Sequence, residues 1–161
     1  MENDRQTAVQ GEMLPDPDEL FRQLEEKILQ NCHGIDIGRV RAAYETARMA
    51  HSGQKRKDGS PYVTHCIAAA GITVEMGLDE DSIIAALLHD VIEDTSLSHA
   101  DIAHQFGLPV ADIVEGVTKL TRVQYTSKED EQMENLRKML LAMSKDIRVM
   151  LIKISDRLHN M

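Results

Sequence analysis

From position 18 onward the apolar residues of this chain return every third or fourth position, and no stretch of any length alternates apolar with polar. A period near 3.6 belongs to a helix buried along one face, whereas a half-buried strand alternates with period two. The pattern therefore predicts an all-α domain. Leu20, Leu24 and Ile28 mark a first helix, and Val40, Ala43, Tyr44 and Ala47 a second that ends near Gly53. The polar segment 54–61 (QKRKDGSP) reads as a loop, with Pro61 placed to open a third helix that carries His65 and stops by Gly77. Asp79 then caps a fourth helix over 81–94, and Ser98 with Asp101 forms a capping box for a fifth. A sixth is expected over 109–118, a mobile surface loop over 119–127, and two more helices over 128–143 and from 146 to the end.

Residues 1–17 show no period and finish in Pro-Asp-Pro, so they are expected to be a flexible leader to one domain spanning 18–161. At 161 residues such a domain needs neither disulfides nor a metal to fold. Met161 falls in mid-helix with no stop signal behind it, which suggests a fragment of a longer protein.

Charge and composition exclude several functions. Lys and Arg number 18 against 27 Asp and Glu, a formal balance of −9, which repels nucleic acid and anionic membranes. Aromatic residues make up 3% of the chain and Trp is absent, so a row of stacked bases has no platform. The two cysteines, Cys32 and Cys66, form no C-x-x-C pair, and no apolar run is long enough for a membrane span. Free thiols, a reducing compartment and a cytoplasmic location are expected.

The residues with chemical content cluster on the fourth helix. Taking His89 as zero, and ~100° per residue, Asp90 falls at about 100°, Glu93 at about 40° and Asp94 at about 140°. Just before them, residues 83–88 (IIAALL) are apolar on every side, the mark of a buried helix. Ionisable groups beside such a run are costly without a partner, and a bound cation is the simplest one. His65 and Asp156 are candidates to complete the set. Two imidazoles and two carboxylates without a thiolate suit manganese, iron, magnesium or zinc, rather than a structural thiolate zinc site. There is no Walker loop and no dinucleotide glycine fingerprint, so phosphate chemistry would rest on metal and side chains. His33, His51, His99 and His104 read as surface or capping residues, His159 as structural, and Cys66 as buried and inert.

His65, the pair His89-Asp90 and Asp156 resemble the H…HD…D signature of the HD-domain metal phosphohydrolases. The runs RKDGSPYVTH (56–65), AALLHDVIEDT (85–95), GVTKL (116–120) and RKMLLAMSKDIRVMLIKISDRLHNM (137–161) are similar to the hydrolase domain of the RelA/SpoT alarmone synthetase/hydrolases. The resemblance covers about 37–161. It implies an HD-type bundle of about eight helices that continues past this terminus, with synthetase and regulatory domains elsewhere in the parent. It implies one manganese ion held by His65, His89, Asp90 and Asp156, with Glu93 and Asp94 as the acidic pair of hydrolase-competent members. Arg56 would pack on the guanine base, and Lys57, Ser60, Tyr62 and Asn160 would surround the nucleotide. Many relatives carry Pro after the first ligand histidine where this chain has Cys66, a difference expected to alter packing rather than chemistry.

The reaction so implied is release of pyrophosphate from the 3′ position of guanosine tetra- or pentaphosphate (ppGpp, pppGpp), leaving GDP or GTP. The partner is a small guanine nucleotide, not nucleic acid or membrane. Two alternatives remain: another HD phosphohydrolase acting on deoxynucleotides or cyclic dinucleotides, and a regulatory module that binds guanine nucleotides without turnover.

Overall fold

The computed structural model describes residues 16–121, 132–134, 136–137 and 147–160. Their named elements are helical: α1 (Pro17–Asn31), α2 (Ile37–Ala50), α3 (Val63–Glu75), α4 (Glu80–Leu88), α5 (Val91–Asp94), α6 (His99–Phe106), α7 (Leu108–Thr121) and α8 (Ile147–Asn160). Among the described residues the β content is one isolated antiparallel bridge, Lys55 to Pro61. The all-α expectation holds.

The helices start where local chemistry satisfies their free N–H groups. The Asp16 carboxylate accepts from Asp18 N at 3.2 Å, and Pro17 takes the first helical position, where its missing N–H costs nothing. α1 therefore begins one residue inside the expected leader, and residues 1–15 lie outside the described set. Phe21, Leu24 and Ile28 form its buried stripe, with Leu20 only partly covered, because Phe21 stacks on Tyr44 of α2 at a centroid distance of 4.3 Å. Ser98 and Asp101 form the capping box that opens α6.

Helix α3 ends in a Schellman motif. Gly77 adopts φ +76, its N–H donates to Val74 O, and Leu78 N donates to Thr73 O. The chain can then turn at once into α4, whose N-cap Asp79 accepts from Ser82 N at 3.0 Å. All of Ser82 to Leu88 is buried, because α4 runs through the centre of the bundle and touches α2, α3, α7 and α8. A helix apolar all round has no solvent face to offer, as residues 83–88 foretell.

Two boundaries differ from expectation, and a third expected helix is described only in part. The helix expected over 81–94 is broken: α4 ends at Leu88, His89 N reaches back to Ala86 O, and Asp90 sits at φ −103, ψ −2 before the single turn α5. Val91 and Ile92 continue the apolar pattern through the break, which hides it from periodicity. α7 continues through Thr121, so Lys119, Leu120 and Thr121 are helical rather than loop, and 122–127 lie outside the described residues. Of the helix expected over 128–143, residues 132–134 and 136–137 are helical and the others lie outside the described set.

Helix α8 packs on α3, α4 and α7. Its approach to α7 depends on Gly116, where a Cβ would stand 2.8 Å from Val149 Cγ2. This close approach brings Asp156 over the centre of the bundle, where it is buried.

Candidate metal centre

Three elements place four donors together. His65 comes from the first turn of α3, His89 and Asp90 from the break after α4, and Asp156 from α8. One ligand atom from each lies within 4.8 Å of every other. His65 Nε2 is 2.6 Å from Asp156 Oδ1, and His89 Nε2 is 3.3 Å from the same oxygen and 2.9 Å from Asp90 Oδ2. Both imidazoles are 1% exposed.

The break in the helix gives the adjacent pair its reach. On an unbroken helix His89 and Asp90 would diverge by ~100°. With Asp90 near the bridge region of backbone space, both side chains turn to one point. His89 Nδ1 lies 2.6 Å from Ala86 O, a contact in which the ring donates, so that Nε2 is the nitrogen turned to the two carboxylates.

Burial and charge act against each other throughout the cluster. Burial disfavours a charge on His89, yet the carboxylates of Asp156 and Asp90 outweigh it and push its pKa up to about 10. Burial would raise Asp156, but hydrogen bonds from His65 and His89 and the charge of Lys153 hold it well below the ordinary carboxylate range. Asp90 is lowered likewise, its burial outweighed by His89 and by the Tyr62 hydroxyl. Two buried carboxylates thus draw positive charge onto His89. A divalent cation would meet that demand directly, so the donor set fits one.

The acidic pair stands on α5 beside the cluster, with Glu93 and Asp94 both exposed. Burial and the nearby Asp90 charge raise the Asp94 pKa. Arg56 donates to Asn160 Oδ1 at 2.9 Å, and Asn160 Nδ2 donates to Asp156 Oδ1 at 3.2 Å. The basic loop is therefore tied to a cluster donor through one amide. Tyr62 donates to Asp90 Oδ2 at 2.8 Å. Lys57 is exposed on the turn, whereas Ser60 is buried with its hydroxyl on Asp58 Oδ1 at 2.5 Å, holding the turn from inside. Gly59, at φ +88, closes that turn.

Sequence reasoning passes over three residues here. His159, read as structural, meets His65 at 2.6 Å between Nδ1 atoms. His51 caps α2 as read, but it is buried rather than on the surface; its Nδ1 contacts Gln54 Oε1 at 3.0 Å. Gln54 in turn donates to Asp94 O at 3.0 Å. A His three residues before the 54–61 loop and another three residues after Asp156 are the signals that point to them. Cys66 is buried as expected, and burial, then the charges of Asp90 and Asp156, push its thiol pKa up. Both cysteines are free thiols.

Comparison with known proteins agrees with this fold. The HD domain family model matches residues 43–161. The chain is 50% identical over 142 residues to the bifunctional (p)ppGpp synthase/hydrolase SpoT of Escherichia coli K12, covering 88% of this chain and 20% of that protein. It is 45% identical over 142 residues to the guanosine-3′,5′-bis(diphosphate) 3′-pyrophosphohydrolase of Vibrio cholerae serotype O1, with the same two coverages of 88% and 20%. A solved structure of a metazoan ortholog of SpoT that hydrolyses ppGpp superposes with a TM-score of 0.60 at 31% identity, covering 76% of this chain and 67% of that one. The chain spans about a fifth of the length of the curated relatives it matches. With its four donors, its helical bundle and these likenesses, the chain belongs to the HD domain family, among the SpoT-type sequences.

Proposed function

We propose that this chain hydrolyses the 3′-pyrophosphate of guanosine tetra- and pentaphosphate, with manganese as its resident cation. The observation that carries the reading is the convergence of two imidazoles and two carboxylates within 4.8 Å, beside an acidic pair. Relatives named as 3′-pyrophosphohydrolases, at 45–51% identity, supply the substrate class. The same proposal makes 18–161 one catalytic domain of a longer cytoplasmic protein that also carries synthetase and regulatory domains. Among the described residues no helix is long and apolar enough to cross a membrane.

His65, His89, Asp90 and Asp156 would hold the ion. When bound, it supplies Lewis-acid polarisation of a phosphoryl oxygen and lowers the pKa of water at the site toward neutrality. One carboxylate of the Glu93-Asp94 pair takes the proton from the attacking water, help that is typically worth ~10² to 10⁴ in rate. Asp94 suits the task because burial and Asp90 raise its affinity for a proton. The water oxygen bonds to the 3′-phosphorus as the bond from that phosphorus to O3′ breaks. O3′ leaves with the nucleoside and takes a proton, so the products are pyrophosphate and GDP or GTP.

Arg56 offers a flat guanidinium to the guanine base, held in place by Asn160. Lys55, Arg56 and Lys57 make a local positive entrance on a chain of net charge −9. Ser60 keeps the turn closed, and Tyr62 braces Asp90 beneath the nucleotide.

The test is pyrophosphate release from ppGpp by chelator-treated protein, with and without added manganese. Turnover that depends on the ion is expected. The double variant Glu93→Gln, Asp94→Asn should retain the ion and hydrolyse negligibly. Release of monophosphate, or equal turnover of dGTP or cyclic dinucleotides, would overturn the reading.

A further inference from the structure

The rings of His65 and His159 lie within 27° of coplanar, their centroids are 4.9 Å apart, and their Nδ1 atoms are 2.6 Å apart. That centroid separation is the N···N distance plus one ring radius at each end. The imidazoles thus meet edge to edge, not face to face. A nitrogen–nitrogen contact so short needs a proton between its atoms: two lone pairs would repel, and two N–H groups would collide.

The other edge of His65 decides which ring owns that proton once a cation replaces the Nε2 proton that Asp156 accepts. Its Nε2 belongs to the four-donor cluster and faces Asp156. An imidazole that holds a metal through Nε2 must leave that nitrogen bare, so its own proton sits on Nδ1. His159 Nδ1 is then the acceptor, and His159 keeps its proton on Nε2. His89 shows the same arrangement with a different partner, since its Nδ1 rests on Ala86 O. Where α4 supplies a backbone carbonyl, α8 supplies a ring nitrogen.

We propose that His159 is a positioning residue: by accepting the Nδ1 proton of His65 it fixes the ring rotation and the tautomer that present Nε2 to a divalent cation. The proposal rests on the reading of the cluster as a metal site. Partners of this kind commonly change metal affinity when removed. His159 is itself exposed, so its replacement leaves the core untouched.

The experiment uses the 161-residue chain with manganese alone and no nucleotide. Two variants are compared with the parent: His159→Leu, which keeps bulk and removes the acceptor, and His159→Asn, whose amide oxygen can replace it. Titration calorimetry reads the manganese affinity, and circular dichroism reads the melting temperature of the metal-free protein. His159→Leu should bind manganese at least about tenfold more weakly, and His159→Asn within about threefold of the parent. Both metal-free melting temperatures should match the parent. Unchanged affinity in His159→Leu overturns the proposal, as does an equal loss in both variants. A loss of affinity that tracks a loss of melting temperature overturns it in favour of a purely structural role. Failure of the parent itself to bind manganese overturns the metal-site reading and this proposal together, whereas normal parental binding with an unaffected His159→Leu overturns this proposal alone.

Discussion

The Tyr62 hydroxyl donates at 2.8 Å to Asp90 Oδ2, the same oxygen that faces His89 Nε2 at 2.9 Å. The phenol and the imidazole thus share one carboxylate oxygen. Tyr62→Phe removes the donor and keeps the ring beside His51 and His65. Manganese affinity should fall ~10-fold. The metal-free melting temperature should fall by the equivalent of ~1 kcal/mol. Calorimetry and thermal denaturation check the two parts separately.

Asp94 gives a pH dependence whose sign is fixed. Burial and Asp90 raise its pKa in the folded chain, so the unfolded chain releases this proton first, near pH ~3.9. Between that pH and the raised folded value the native state binds more protons, and stability falls as pH climbs. Above the folded value the penalty is complete. Asp94→Asn should therefore raise the melting temperature of the metal-free protein at pH 7, while hydrolysis drops. Thermal denaturation in chelator at pH 4 and pH 7 reads the effect, which should be larger at pH 7.

Gln54 links the basic loop to the acidic turn, accepting at His51 and donating to Asp94 O. Gln54→Leu cuts both bonds without touching a cluster donor. Turnover should fall ~10-fold, as expected when a catalytic group loses its alignment. Manganese affinity should stay at the parental value. A steady-state assay paired with calorimetry separates these outcomes.

Gly116 sets the distance between α7 and α8. A methyl at this position would meet Val149 Cγ2 at 2.8 Å, and a β-branched side chain has little freedom to withdraw. Gly116→Ala should cost ~1–3 kcal/mol. It should also weaken manganese binding, because α8 carries Asp156. Val149→Ala in the same chain should restore part of both, as urea denaturation and calorimetry would show.

Much of this architecture is legible in the sequence because helical burial leaves a one-dimensional trace. The stripe of Leu24 and Ile28, the capping box at Ser98 and the uniformly apolar run before His89 each report a local physical demand. The candidate pair His89 and Asp90 is legible for a related reason, since ionisable residues beside a buried run call for compensation, whereas His65 and Asp156 are singled out by the family resemblance. What lacks such a trace is contact between distant positions. His159 looks like any histidine on a helix until α8 is laid on α3, where it meets a residue 94 positions away. The break at Asp90 is hidden because Val91 is as buried as the helix before it. Leu20 and Phe21 compete for one inward position, and only the ring of Tyr44 awards it to Phe21.

The three segments that supply the donors are far apart along the chain, with His65 and Asp156 separated by 91 positions. An ion caught by the α3 and α4 donors alone would lack a quarter of its grip until α8 docks. On the proposed metal-site reading, capture of the ion would therefore be a late event in the life of a nascent chain and would report that the bundle has closed. A ribosome-bound intermediate ending before Asp156 would compete poorly for a divalent cation however well α1 to α7 had formed.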